Sequence, residues 1–239
     1  MNRRPTTTTT PPRDLRPATP GSTGPPGGRR RLIWAMWLWA ATAVTFLVLA
    51  FLAHWYDRFP GDERIAHAVQ GIDVPALGGF FDFVNWLGEP WPAGVLIVAL
   101  AAAFALRRAP LASLLVLLTI GPRIANSVIK DWVERPRPSP DLVKISHDAS
   151  GFGFPSGHTV GDAALFAVLL VTVASLIPWR PGRRVAQGGC LLAIVSAGPA
   201  RVYVGAHWPS DVLGGYLLAL LFLLPILVGY RALRRASPR

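Results

Sequence analysis

LIWAMWLWAATAVTFLVLAFLA, residues Leu32–Ala53, is a run of 22 uncharged residues. About 20 apolar residues in a helix cover the ~30 Å of a bilayer's hydrocarbon core, so this run is long enough to cross one. It is longer than the apolar core of a secretory signal, and no clean small-residue cleavage site follows it. Five further stretches of the same kind lie downstream: Pro90–Leu106, Pro110–Ile129 with one charge at Arg123, Thr159–Trp179 with one at Asp162, Val185–Ala200 with a continuation to Val204, and Val212–Tyr230. The expected fold is all-α: an integral membrane bundle of six transmembrane helices over residues 32–230.

Composition agrees. Hydrophobic residues make up 51% of the 239-residue chain and charged residues 15%, against about 25% charged in soluble domains. One cysteine, Cys190, excludes an internal disulfide framework. The net charge of +11 would suit a nucleic-acid binder only if it were spread over a surface. Instead, residues 1–31 hold seven Arg and one Asp, and residues 231–239 hold four Arg. The partners expected at these basic tails are anionic lipid headgroups, not nucleic acid. The segment 1–31, with Thr6 to Thr10 and scattered Pro and Gly, reads as a disordered cytoplasmic tail with little to bury. Residues 231–239 form a second basic tail.

Orientation follows from Arg and Lys in the connections. With both termini cytoplasmic, the inner segments hold sixteen basic residues and the outer ones seven. Trp34, Trp37, Trp39 and Trp179 then fall at the inner interface, and Trp55, Trp91, Trp132 and Trp208 at the outer one. In the long first outer loop, Val74, Leu77, Phe80, Phe81, Val84 and Leu87 recur at helical spacing. They predict an interfacial helix, or equally a lid packed on the bundle.

The remaining charged residues collect at one face. Lys130 ends the third span, and Arg135 and Arg137 follow it. Pro155-Ser156-Gly157-His158 opens the fourth span. Arg201, His207 and Asp211 lie between the fifth and sixth. Topology drawn from hydropathy and the bias of basic residues puts them all on the outer side. Lys130, Arg137 and Arg201 suit the oxygens of a phosphate. Ser156 and Gly157 sit where a helix starts, and its free N–H groups favour an anion. His207 and Asp211, four apart, share a face, so the carboxylate can orient the imidazole and leave its other nitrogen to attack. His158 is suited to protonating a leaving alkoxide. No dense carboxylate cluster, HExxH or Walker loop implies a metal or nucleotide.

These residues carry a resemblance. Lys130, six residues, then Arg137-Pro138; Pro155-Ser156-Gly157-His158; and Arg201, five residues, His207, three residues, Asp211 resemble the three-part signature of the type 2 phosphatidic acid phosphatase and vanadium haloperoxidase superfamily. Signature and spans together cover residues 32–230. The resemblance implies a phosphohistidine on His207 oriented by Asp211, and His158 as the proton donor. It implies a phosphate cradle of Lys130, Arg137, Ser156, Gly157 and Arg201, with no cofactor or metal needed. Ala200 stands where the family usually has Ser, which implies an altered phosphate affinity.

The function expected is therefore metal-independent hydrolysis of a lipid phosphate at the outer face of the cell membrane. Twenty-two Arg against two Lys suit a bacterium with GC-rich DNA. There the resemblance puts undecaprenyl pyrophosphate first, with phosphatidic acid or phosphatidylglycerol phosphate as the alternative. A non-catalytic lipid-phosphate scaffold or a transporter is the reading from another class, because intramembrane charges also mark transport paths. Within the spans, Arg123, Asn126 and Lys130 share one face of the third helix. Arg123 falls roughly 10 Å below Lys130, and Asp162 roughly 6 Å below His158. The expectation is that Arg123 and Asp162 pair as support beneath the site, the alternative being Asp162 bonded directly to His158. Arg135 reads as a solvated or headgroup contact or, equally, a substrate contact, and Cys190 as packing. His54, His67 and His147 read as structural or solvated, and Gly214-Gly215 as a close helix contact.

Overall fold

The computed structural model describes residues 26–147 and 149–236. Residues 1–25 of the tail expected to be disordered lie outside the described residues. Residues 26–31 are helical, so the first helix begins inside that tail. The last helix likewise continues to Ala236, into the second basic tail.

The chain runs through α1 (Pro26–Trp55), α2 (Asp62–Gln70), α3 (Pro75–Gly88), α4 (Pro90–Leu106), α5 (Pro110–Leu118), α6 (Ile120–Val133), α7 (Gly157–Thr172), α8 (Arg180–Tyr203) and α9 (Pro209–Ala236), with no strand among the described residues. Five segments are long and apolar enough to cross a membrane: Arg29–Trp55, Pro110–Val133, Gly157–Ser175, Arg180–Tyr203 and Pro209–Arg234. A sixth is reached only if α3 and α4, bent by 69° at their junction, count as one. The reason is length. The 17 residues of α4 extend about 26 Å at 1.5 Å each, short of the hydrocarbon thickness. The protein is thus an all-α membrane bundle with five to six candidate spans.

Prolines shape three of these helices. Pro122 has no N–H for the carbonyl of Leu118, and its ring crowds that carbonyl. The third span accordingly breaks at Thr119, whose Oγ1 donates to Val116 O at 2.6 Å. In α8, Pro199 withdraws the donor for Val195 O. The Tyr216 hydroxyl fills the gap, donating to Ile194 O at 2.6 Å, lying 3.4 Å from Val195 O and accepting from Gly198 N at 3.1 Å. In α9, Pro225 orphans Leu221 O, which accepts instead from Trp39 Nε1 of α1 at 2.9 Å. The repairs at Pro199 and Pro225 come from neighbouring helices and the bond at Thr119 from within its own span, the routes open to backbone groups that water cannot reach.

Helix α7 is central, 61% buried against 17% for α1. Phe104, Val116, Leu165 and Val168 pack the core between α4, α5 and α7, and Cys190 joins that cluster. Gly214 faces the Phe154 ring and Gly215 faces Ser156 and Thr159, so this pair lets α9 approach the start of α7 closely. Of the eight tryptophans expected at the interfaces, Trp208 is corrected. It is buried against Ala66, Val143 and Val202, because the turn before α9 folds inward over α2. Trp34, Trp37, Trp39, Trp55, Trp91, Trp132 and Trp179 are exposed. Helix α3 packs Leu77, Phe80, Phe81 and Val84 on Ala200 and Tyr203 of α8 and leaves Phe83 and Trp86 exposed.

Candidate active site

The end of α6, the starts of α7 and α9, and the end of α8 meet at one end of the bundle. They bring Lys130, Arg137, Ser156, Gly157, His158, Arg201, His207 and Asp211 into one region. The chain reaches this arrangement because α6, α7, α8 and α9 alternate in direction across the bundle.

His207 is the best-defined group. Its Nε2 lies 3.0 Å from Arg137 Nη1. A guanidinium only donates, so Nε2 accepts and Nδ1 carries the proton. Nδ1 faces Asp211 Oδ2 at 3.5 Å. The same oxygen accepts from Trp208 N at 2.9 Å, and Oδ1 accepts from Arg135 Nη1 at 2.5 Å. Both carboxylate oxygens are therefore held, and the imidazole lone pair points towards the cations. Burial, then the charges of Lys130, Arg137 and Arg201, push the His207 imidazole well below its ordinary value, so it is neutral at pH 7.

Arg137 is fixed by backbone carbonyls. Nε donates to Gly151 O at 2.9 Å, Nη2 to Ser150 O at 2.9 Å and Nη1 to Ala206 O at 2.8 Å. Gly151 turns the chain at φ 72°, a conformation that favours glycine. Burial lowers the Arg137 guanidinium from its ordinary value, partly offset by Asp211. Lys130 Nζ donates to Phe152 O and, at 3.3 Å, to Gly153 O. Ser156 precedes the first turn of α7. Its N–H donates to Asp211 O at 3.0 Å, and its Oγ accepts from Thr159 Oγ1 at 3.0 Å. The N–H groups of that first turn have no acceptor within their own helix.

Arg201 Nη1 donates to Asn85 Oδ1 at 3.0 Å, and Asn85 Nδ2 lies 3.4 Å from the carbonyl of Ala200. This partner from α3 is absent from the sequence reading. Asn85 lies among apolar residues 116 positions away, and only the amphipathic face of α3 hinted at contact.

Deeper in the bundle, Arg123 Nη2 lies 3.4 Å from Asp162 Oδ1. A Cβ on Gly161 would overlap that guanidinium, so the glycine makes its room. Asn126 is buried, with Nδ2 beside Gly157. The alternative of a direct Asp162–His158 bond is not what forms. His158 Nε2 instead faces Glu89 Oε1 at 3.4 Å, and His147 Nε2 faces the same oxygen at 3.4 Å. His147 is solvated, as its sequence suggests, and stands at the exposed edge of this cluster.

Arg135 is a second correction. It meets neither headgroup nor substrate but is wholly buried, donating to Asp211, to Asp62 Oδ2 at 3.0 Å, to Ser210 Oγ at 2.7 Å and to the carbonyls of Tyr56 and Asp57 at 3.2 Å. Phe59 covers it at 4.6 Å. Asp62 also accepts from Ser210 N at 3.0 Å. A buried guanidinium needs this complete set of acceptors, and they come from the α1–α2 connection, α2 and α9.

Among the described residues, the buried side-chain polar atoms without a hydrogen-bond partner are Arg123 Nε, Asn126 Oδ1, His158 Nε2, Arg201 Nε and His207 Nδ1. All five belong to residues selected from the sequence. No group of three or more His, Cys, Asp or Glu side chains among the described residues is placed to hold a metal ion.

A membrane-crossing bundle that gathers two histidines, a carboxylate and three cations at one end defines a membrane lipid phosphate phosphatase. The PAP2 superfamily pattern matches residues 109–235. Phosphatidylglycerophosphatase B of Bacillus subtilis (strain 168) is 34% identical over 180 residues, covering 74% of this chain and 86% of that protein. The crystal structure of a transmembrane PAP2 type phosphatidylglycerolphosphate phosphatase from Bacillus subtilis superposes with a TM-score of 0.70 at 28% identity, covering 84% of this chain and 98% of that one. The chain belongs to the PAP2 superfamily, in its membrane lipid phosphate phosphatase branch.

Proposed function

We propose that the protein hydrolyses a glycerolipid phosphate, with phosphatidylglycerol phosphate the leading substrate, through a phosphohistidine on His207. The observation that carries this reading is the set of five unpartnered buried polar atoms at the site. A native fold leaves such groups unpaired at a cost of about 1–3 kcal/mol each, which is accepted where they serve a ligand or a reaction. The relatives carry names of phosphatidylglycerophosphate phosphatases, and this moves the glycerolipid ahead of undecaprenyl pyrophosphate, which the sequence reading had put first.

In this mechanism Lys130, Arg137, Arg201, the Ser156 hydroxyl and the free N–H groups of the first turn of α7, from Gly157 on, hold the phosphate oxygens. His207 Nε2 attacks phosphorus, and Asp211 stabilises the charge that develops on the ring. The P–O bond to the lipid breaks, and its electron pair stays on the oxygen, which takes a proton from His158. Water then attacks the phosphohistidine, giving its proton to His158, and the N–P pair returns to His207. Arg123, Asn126 and Asp162 support the floor of the site. A cavity of about 500 Å³ opens beside His158 and Gly157 and runs along Ala93, Ile97 and Ile120 of α4 and α6. Its apolar walls suit a lipid tail. The excess of basic residues on the other side orients the site outward and both termini towards the cytoplasm. The exposed Phe83 and Trp86 suit α3 to the outer interface, and the tail arginines suit anionic headgroups.

The test is phosphate release by detergent-purified protein with chelator present, from phosphatidylglycerol phosphate, phosphatidic acid and undecaprenyl pyrophosphate. The expected result is preference for the first, abolished in His207→Ala, with an acid-labile, alkali-stable phosphoryl label on the wild type alone. Preference for the pyrophosphate would reassign the substrate and keep the chemistry. Release by His207→Ala at wild-type rate would refute the mechanism.

A further inference from the structure

The α3–α4 junction wraps the ring of His158. A Cβ on Gly88 would overlap His158 Cδ2 and come within 2.8 Å of Asp162 Oδ2, so the glycine lets the backbone lie directly against the imidazole. The next residue, Glu89, ends α3 and begins α4 at once. Its N–H donates to Trp86 O at 3.2 Å, its carbonyl accepts from Ala93 N at 3.1 Å, and Pro90 follows at the first helical position. The backbone that carries the carboxylate is therefore pinned by both helices. From there Oε1 reaches to 3.4 Å from His158 Nε2, a buried nitrogen with no hydrogen-bond partner, and to 3.4 Å from His147 Nε2. The Glu89 side chain is one-third exposed and that of His147 44% exposed, against 15% for His158. The three groups thus step from the buried site towards water.

This arrangement meets a need of the chemistry. A proton donor has to carry its proton before the leaving oxygen departs. Around His158 stand Arg123 and Arg201, with His207 and His147 also near, and Asp162 is paired with Arg123. A further positive charge among those cations requires a counter-charge, and Glu89 is the carboxylate that faces the ring nitrogen.

We propose that Glu89 is a positioning residue for the proton donor: its carboxylate orients His158 and balances the imidazolium, and His147 links the pair to bulk water. This rests on the phosphatase reading given above. In the first step His158 gives its proton to the lipid oxygen as the P–O bond breaks. In the second it receives one from the attacking water. Between these steps Glu89 holds the ring in place, and excess protons exchange through His147.

The test compares two leaving groups on the purified full-length protein. An alkyl lipid phosphate, here phosphatidic acid, leaves only if its oxygen is protonated, whereas p-nitrophenyl phosphate releases a phenolate that needs little help. Release by the wild type from neither of these nor from phosphatidylglycerol phosphate would sink the phosphatase reading itself; if only the last is cleaved, it replaces phosphatidic acid as the alkyl substrate. With the wild type active, Glu89→Gln should lower kcat on phosphatidic acid by about 10–100-fold, a part of the ~10²–10⁴-fold that a general acid supplies in full, because His158 itself remains. KM should stay near its wild-type value, and p-nitrophenyl phosphate should lose less than about threefold. Glu89→Asp, which keeps the charge, should recover part of the loss, and His147→Asn should show a smaller loss of the same selectivity. An equal loss on both substrates, or no loss on the lipid, would overturn the inference.

Discussion

Replacing Arg135 with Met removes the hub that joins four parts of the chain. The guanidinium is wholly buried and donates to Asp211, Asp62, Ser210 and the carbonyls of Tyr56 and Asp57. Methionine occupies similar space but leaves two buried carboxylates without their shared cation. Breaking a buried ion pair from one side costs roughly 3–5 kcal/mol. In a chain of this size each kcal/mol shifts Tm by about 2–4 °C, so a fall of roughly 6–20 °C is expected on the scale of soluble domains. Heating the detergent-solubilised protein in steps and measuring the monodisperse fraction by size-exclusion chromatography reads this directly. Phosphate release at a temperature where both proteins are folded should fall too, because Asp211 loses the partner on Oδ1. Adding Asp62→Leu to Arg135→Met should recover part of the Tm and little of the activity. A Tm within about 2 °C of wild type with unchanged activity would refute the assignment of Arg135 as the support of Asp211.

Three further outcomes follow from the geometry. Arg123→Ala and Asp162→Ala should each lower the folded yield, and the double variant should recover part of it, since each single change strands the other charge within the membrane; additive losses would count against the pair. Trp39→Phe should destabilise by about 1–2 kcal/mol by stranding Leu221 O, and should cost less in a Pro225→Ala background, where the helix supplies its own donor; thermal midpoints of the four proteins measure the cycle. For pH, the folded His207 is held below its ordinary value. Above about pH 6.5 both folded and unfolded forms are neutral and the group adds nothing. As pH falls below that, the unfolded chain takes up a proton that the folded chain refuses, so stability declines by at most about 1.4 kcal/mol per pH unit. The Tm of His207→Gln should therefore fall less steeply than wild type between pH 6.5 and 5.

Spacing along single segments made much of this legible. The 3.6-residue period puts Arg123, Asn126 and Lys130 on one face of α6, and the four-residue spacing brings His207, in the turn just before α9, to Asp211 in its first turn. Counting helical rise from Lys130 and His158 leaves Arg123 about 4 Å deeper than Asp162, a difference that an arginine side chain spans. What stayed hidden is what crosses between segments. Asn85 reaches Arg201 over 116 positions, and Arg135 reaches Asp62 over 73. Glu89 looked like the last residue of a loop, and Trp208 looked like one more interfacial indole. No periodicity marks such pairs, because they depend on which helix faces which and at what depth.

The sequence by itself determined the solvent this protein lives in, where its apolar runs lie along the chain, and the chemical types gathered at one end of the bundle. These follow from hydropathy and from helix geometry, which are properties of short stretches. The tertiary structure alone decided which polar groups are satisfied and which are left open: Arg135 closed into the scaffold, Asp211 held on both oxygens, the Pro199 and Pro225 gaps repaired from neighbouring helices, and Glu89 turned onto His158. The physical reason is that a buried polar atom must find a partner in three dimensions, and the identity of that partner is set by the packing of helices far apart in the chain.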